Sequence, residues 1–166
     1  MKIKRLEHKV NPVVDAKELL RQAKLKRKKV YDVTKVLNIK HEVNNFYFDS
    51  LITKGFPFHM ARWAQRLIDI PDKDFARLIG ISMSAFRRLK IKKGRLSRIS
   101  SDQVYRLSAL FAFGVDVLGS EDAAREWFAR RPLPLGRRTP LELAETDPGS
   151  REVESLLNSI RYGGCL

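Results

Sequence analysis

Three groups of side chains have the types and spacing to act on another molecule. The first lies in "SMSAFRRLKIKKGRLSR": Ser82, Met83, Ser84, Arg87, Arg88, Lys90, Lys92, Lys93, Arg95 and Arg98. Guanidinium groups clamp phosphates or fork onto the O6 and N7 acceptors of guanine, and ammonium groups neutralise phosphate charge. The second is the close of the sequence, "SLLNSIRYGGCL", with Arg161, Tyr162, Gly163, Gly164, Cys165 and Leu166. A helical run stops there at Tyr162, and the four residues Gly163, Gly164, Cys165 and Leu166 follow that need not fold. They read either as a frayed end or as a segment meant for another protein's pocket. The third is the pair Arg137 and Arg138 in the turn "LPLGRRTP".

Catalytic and cofactor chemistry is not expected from this sequence. It has no nucleophile elbow, no phosphate-cradling glycine loop and no His/Asp/Glu set at metal-ligand spacing. His8, His41 and His59 stand in dissimilar contexts, and Cys165 is the single cysteine, so neither an internal disulfide nor a zinc site follows. With no membrane-length apolar run and no apolar stretch after the basic N-terminus, the expectation is a reducing, cytoplasmic setting.

Charge is unevenly spread along the 166 residues. Residues 1–70 carry 16 Lys and Arg against 7 Asp and Glu, residues 71–100 carry 9 against 2, and residues 101–166 carry 8 against 10. The whole net charge of +14 therefore sits in the first hundred residues. A basic part joined to a mildly acidic part points to a polyanion at one end and a different partner at the other.

The elements that must position these groups are helical. In "VVDAKELLRQAKLKRKKV", Asp15 reads as an N-cap with Leu19, Leu20 and Ala23 on one side. The run Lys24, Lys26, Arg27, Lys28 and Lys29 is a solvated helix end or a phosphate-contacting arm. The aromatic cluster Phe46, Tyr47, Phe48 with Leu51 reads as a short strand, a core helix or a dimer contact. From Pro57 the period is helical through Met60, Trp63, Ala64, Leu67 and Ile68, stopping near Pro71. Asp72 is the expected cap of "DKDFARLI" and Ser82 that of "SMSAFRRLKI". Ser100 with Gln103 reads as a capping box for "SSDQVYRLSALFAF", whose Val104, Leu107, Leu110 and Phe111 keep the helical spacing. Ser120 opens "EDAAREWFARR"; Thr139, Pro140 and Glu142 open "PLELAE". Ser150 is the expected cap of "REVESLLNSIRY", with the stripe Val153, Leu156, Leu157 and Ile160 mostly turned inward over Trp127 and Phe128. The chain reads as all-α.

Within this series "DFARLIGISMSAFRRL" has the spacing of a helix-turn-helix. Ala76 is the small residue that lets the second helix cross the first closely. Gly80, four residues on, supplies the turn that needs positive φ. Phe75, Ile79, Ile81, Phe86 and Leu89 hold the pair together. The second helix then presents Ser82, Met83, Ser84, Arg87 and Arg88 outward for DNA, with the lysines and arginines behind it placed for backbone contacts.

The acidic third, "GSEDAAREWF" followed by "RPLPLGRRTPLELAETDPGSREVESLLNSIRYG", resembles the toxin-binding domain of Xre/MbcA/ParS-type antitoxins. The matching residues are Gly119, Ala124, Trp127, Pro134, Leu135, Gly136, Thr139, Pro140, Leu143, Gly149, Val153, Leu156, Leu157, Tyr162 and Gly163. The resemblance reaches back through the helix-turn-helix to about residue 57. Arg137 departs from it, standing where the family commonly has a second glycine; if positive φ is required there, arginine strains the turn.

The resemblance implies an antitoxin that represses its own operon and neutralises a cognate RES-fold or ParT-like toxin acting on NAD. It also implies that the C-terminal end covers or enters the toxin's active site, with Arg137, Arg138, Arg161, Tyr162, Gly163, Gly164, Cys165 and Leu166 as contacts. The expected organisation is an N-terminal helical extension over 1–56, a possible dimerisation segment; a helix-turn-helix domain over 57–115; and a toxin-binding domain over 116–166. By analogy a homodimer would place two such helices on two half-sites of an operator. The rival reading is a stand-alone regulator whose C-terminal domain oligomerises or binds a ligand.

Overall fold

A computed structural model describes residues 32–40 and 43–163 of the chain. The helix expected around Asp15, the basic run at 24–29, His8, His41 and the residues Gly164, Cys165 and Leu166 lie outside the described residues. Among those described there are nine α-helices, one 3-10 turn and no strand, only an isolated antiparallel bridge between Pro57 and Arg95. None of these helices is long and apolar enough to cross a membrane.

Local side-chain chemistry sets most helix starts. Helix α1, Val33–Val36, is capped by Asp32. Helix α2, Asn45–Thr53, is capped by Asn44, whose side chain accepts from the Tyr47 N–H at 3.0 Å. The aromatic cluster is therefore helical: Phe48 is buried against the Tyr105 ring at 4.9 Å, whereas Phe46 is 84% exposed. Helix α3 is Phe58–Ile68, α4 is Asp72–Leu78, and α5 is Met83–Lys92 with Ser82 as cap. The long α6, Arg98–Leu118, spans roughly 30 Å. Then come α7, Glu121–Ala129, capped by Ser120, and a 3-10 turn at Leu133–Leu135. The short α8, Pro140–Leu143, starts on a complete Thr139/Glu142 capping box, and α9, Asp147–Arg161, closes the series.

Three expected caps are corrected. Pro71, not Asp72, precedes α4; Asp72 is its first residue, and its carboxylate is taken by Arg62 and Gln65. Helix α6 starts earlier than expected, capped by Ser97, because the preceding chain is fixed. The Leu96 N–H donates to the Phe56 carbonyl at 2.9 Å, and the Ser97 hydroxyl is in place to accept from the Ser100 N–H. Ser100 is buried in the first turn and Gln103 belongs to no capping box. Helix α9 is capped by Thr146 rather than Ser150, since Pro148 in its first turn lacks only an N–H that no helix would use.

Helix α6 is the axis on which the rest is assembled, with α1, α2, α3, α7 and α9 all packed against it. It buries Val104, Leu107, Leu110, Phe111 and Val115. Val36, Leu37 and Phe48 from residues 32–56 enter the same core. The chain entering α3 is sewn to the α5–α6 loop and the start of α6: the Phe58 N–H donates to the Gly94 carbonyl at 2.9 Å and the Phe56 N–H to Ser101 Oγ at 2.7 Å. Gly55 makes this approach possible, because a Cβ there would stand 2.1 Å from the Leu96 carbonyl oxygen.

Candidate functional site

Helices α4 and α5 form the expected tight pair. Ala76 is buried, Gly80 turns at φ +68°, and the Ile81 N–H closes the turn on the Ala76 carbonyl at 3.0 Å. Phe75, Ile79 and Phe86 are fully buried, with Ile81 and Leu89 packed on them. The Phe86 ring meets Phe58 at 5.3 Å and Phe75 at 6.5 Å, so α3, α4 and α5 share one aromatic centre.

The outward face of α5 carries Ser84, Arg87 and Arg88, all exposed, as are Ser82, Lys92, Lys93 and Arg98. Met83 is a correction: it is half-buried and packs against the core instead of pointing out. Two of the expected cations are engaged. Lys90 Nζ lies 3.5 Å from Asp72, and Arg95 Nε donates to the Lys54 carbonyl at 3.1 Å. Sequence reading missed Ile91, which is 81% exposed and follows Ser84, Arg87 and Arg88 at i, i+3, i+4, i+7 spacing. That spacing was the signal available for it.

Behind this face Asp72 organises the pair. Its carboxylate accepts from Gln65 at 2.9 Å and from Arg62 at 2.5 Å, while the Arg62 guanidinium lies over the Phe86 ring at 5.5 Å. The Gln65 bond first, then the Arg62 bond, hold the Asp72 carboxyl below its usual range.

The second module begins where α6 ends at Gly119. Helix α7 closes on α6 because Gly114 offers no side chain: a Cβ there would stand 2.6 Å from the Phe128 ring. Phe128 is fully buried, packed against the tilted Phe111 ring at 5.6 Å and met edge-on by Trp127 at 5.2 Å. After the 3-10 turn, Gly136 and Arg137 both adopt positive φ, 63° and 60°, so arginine does occupy a left-handed position. Arg131 holds that turn by donating to the Arg137 carbonyl at 3.1 Å and to Glu142, and Arg138 donates to the Glu142 carbonyl. The Thr139 N–H first and Arg131 next hold the Glu142 carboxyl below its usual range.

Helix α9 turns Val153, Leu156 and Leu157 inward as expected, with Ile160 half-buried. Its end is tied to α6 by Arg161, which pairs with Asp116 and lies 4.7 Å over the Phe113 ring. Beyond that anchor Tyr162 is 81% exposed and Gly163 turns at φ +71°. The two modules are also joined directly: Arg125 Nε donates to the Leu67 carbonyl at 2.6 Å, and Arg77 pairs with Glu145 at 3.1 Å. The described residues hold no cluster of metal ligands.

A helix-turn-helix with a cationic second helix, continued by one long helix into a separately capped module, defines a DNA-binding protein with an appended partner domain. Residues 48–109 match the antitoxin Xre-like helix-turn-helix domain, and residues 114–163 match the antitoxin Xre/MbcA/ParS C-terminal toxin-binding domain. The chain is 25% identical over 118 residues to an antitoxin Xre of Photorhabdus laumondii, covering 70% of this chain and 80% of that one. It is 28% identical over 113 residues to an antitoxin Xre of Yersinia enterocolitica, covering 68% and 76%. The chain belongs to the Xre/MbcA/ParS-type antitoxins.

Proposed function

We infer that this antitoxin neutralises an NAD-targeting toxin, of RES-fold or ParT-like kind, by covering its active site with the C-terminal module and residues 163–166. In this reading Arg137, Arg138, Tyr162 and the residues after it face the toxin, and Arg161 sets where they leave the last helix. The helix-turn-helix represses the operon, with Ser82, Ser84, Arg87, Arg88, Lys92 and Lys93 on operator DNA in a homodimer, in the cytoplasm.

The observation that carries the reading is the contrast at the end of α9. Arg161 is fixed to Asp116 and Phe113, while the very next side chain, Tyr162, is almost fully exposed. A large aromatic left in water at an anchored helix end fits a contact made with a partner. Ordering the following residues costs about 1–2 kcal/mol each in backbone entropy, which the contacts in a pocket must exceed.

The test is co-expression with the product of the neighbouring gene. A stable complex, with cellular NAD falling when that product is expressed alone and holding when the antitoxin accompanies it, is the expected result. Unchanged NAD during growth arrest would remove the NAD assignment.

A further inference from the structure

Outside the face already described, the most suggestive surface is an open apolar depression lined by Trp127, Pro132 and Ile160 and walled by Arg130 and Arg131. It sits between the end of α7 and the last turn of α9, and Leu133 beside it is 72% exposed. Trp127 cannot sink further into the core, because Phe128 already fills the space under α6 and meets it edge-on.

We propose that this depression is the seat that gives the toxin-binding domain its affinity. It takes an aromatic or branched aliphatic side chain of the toxin, flanked by toxin carboxylates. The proposal rests on the toxin reading above but divides the work between two places. Residues 163–166 silence the enzyme, and the Trp127 seat holds it.

The charge around the seat argues for that occupant. Residues 101–166 as a whole carry 10 acids against 8 bases, yet residues 130–138 contain four arginines and no acid. Of those four, Arg130 pairs with Glu126 and Arg131 with Glu142, while Arg138 donates to the Glu142 backbone carbonyl, so four guanidinium groups stand over two carboxylates. In a two-fold contact a cationic rim repels the same rim of a second copy, and it attracts an acidic surface of a partner. Tryptophan and arginine around one apolar slot are also the residue types that dominate binding energy at protein interfaces. The surface is continuous with the domain that carries partner binding in this family.

The full-length chain has two tryptophans, Trp63 and Trp127, so labelling with 5-fluorotryptophan gives two fluorine resonances, assigned with a Trp63→Phe variant. The free antitoxin is compared with its complex with the neighbouring gene's product. The Trp127 line is expected to move in the complex and the Trp63 line to stay. Both effects should persist in a chain lacking residues 163–166, which binds without inhibiting. Arg130→Glu, checked for an unchanged melting curve, should weaken the complex about tenfold or more.

A complex in which the Trp127 line does not move, or one that Arg130→Glu forms as tightly, overturns the proposal and leaves the toxin reading standing. A Trp127 line that moves with antitoxin concentration alone assigns the seat to self-association and likewise overturns it. Failure to form any complex removes the toxin reading and this proposal together.

Discussion

Replacing Gly149 by alanine separates helix propensity from tertiary geometry at the crossing of α8 and α9. Gly149 is the third residue of α9, and its N–H donates to the Thr146 cap at 3.1 Å. A Cβ at this position would stand 2.1 Å from the Leu143 carbonyl oxygen and 2.9 Å from the Thr146 hydroxyl. The first neighbour is backbone and cannot rotate away, so α9 must lift by about 1 Å to restore ordinary contact. Overpacking of this kind costs about 1–3 kcal/mol, and disturbing the Thr146 cap about 1 kcal/mol more. Alanine returns up to about 1 kcal/mol of helix propensity in an interior position. The net expectation is a loss of about 2 kcal/mol, close to thirtyfold in the folding constant, read from urea unfolding of the full chain by circular dichroism. A variant as stable as the original, or more stable as propensity alone dictates, would refute the close crossing and the placement of α9 with it.

Further outcomes follow from the same geometry. Arg137→Gly relieves a left-handed arginine and should raise stability by about 0.5–1 kcal/mol, seen as a higher melting temperature; a lower one would mean the side chain contributes more than its backbone costs. The Asp72 carboxyl is held below its ordinary value of about 3.8. Its contribution to stability is therefore complete above that pH and fades as pH falls through the lower folded value. Asp72→Asn should be less stable at pH 7 and should lose less on acidification between pH 5 and 2, measured by urea midpoints; parallel pH profiles would contradict this. Arg87→Ala with Arg88→Ala should flatten the dependence of log affinity for operator DNA on log salt by about 0.9 per phosphate contact removed. An unchanged slope, with discrimination between operator and random DNA reduced, would place both side chains on base edges instead.

The parts of this fold legible in the sequence are those set within a few residues of chain. Ala76, Gly80 and the Ser82 cap define the α4–α5 turn, and Ser120 and the Thr139/Glu142 box behave as their types demand. What escaped was decided at long range. Ser97 rather than Ser100 caps α6 because Phe56 and Leu96, forty residues apart in sequence, are hydrogen-bonded and fix the chain just before it. Met83 looks outward by position in its helix and is drawn inward by the core beneath. Arg161 reads as a toxin contact at a helix end, and the Asp116 that holds it lies on another helix 45 residues away. The Trp127 seat likewise exists only once Ile160 of α9 is laid beside α7. Alone, each of those residues reads as ordinary core.

The most direct test of the division between a DNA-binding module and a toxin-silencing one is growth of cells expressing the toxin together with either of two full-length-derived variants. One carries Arg87→Glu and Arg88→Glu; the other lacks residues 163–166. Growth should be restored by the first and not by the second. Restoration by the chain lacking residues 163–166, or failure of the folded charge-reversed chain to protect, would contradict the account.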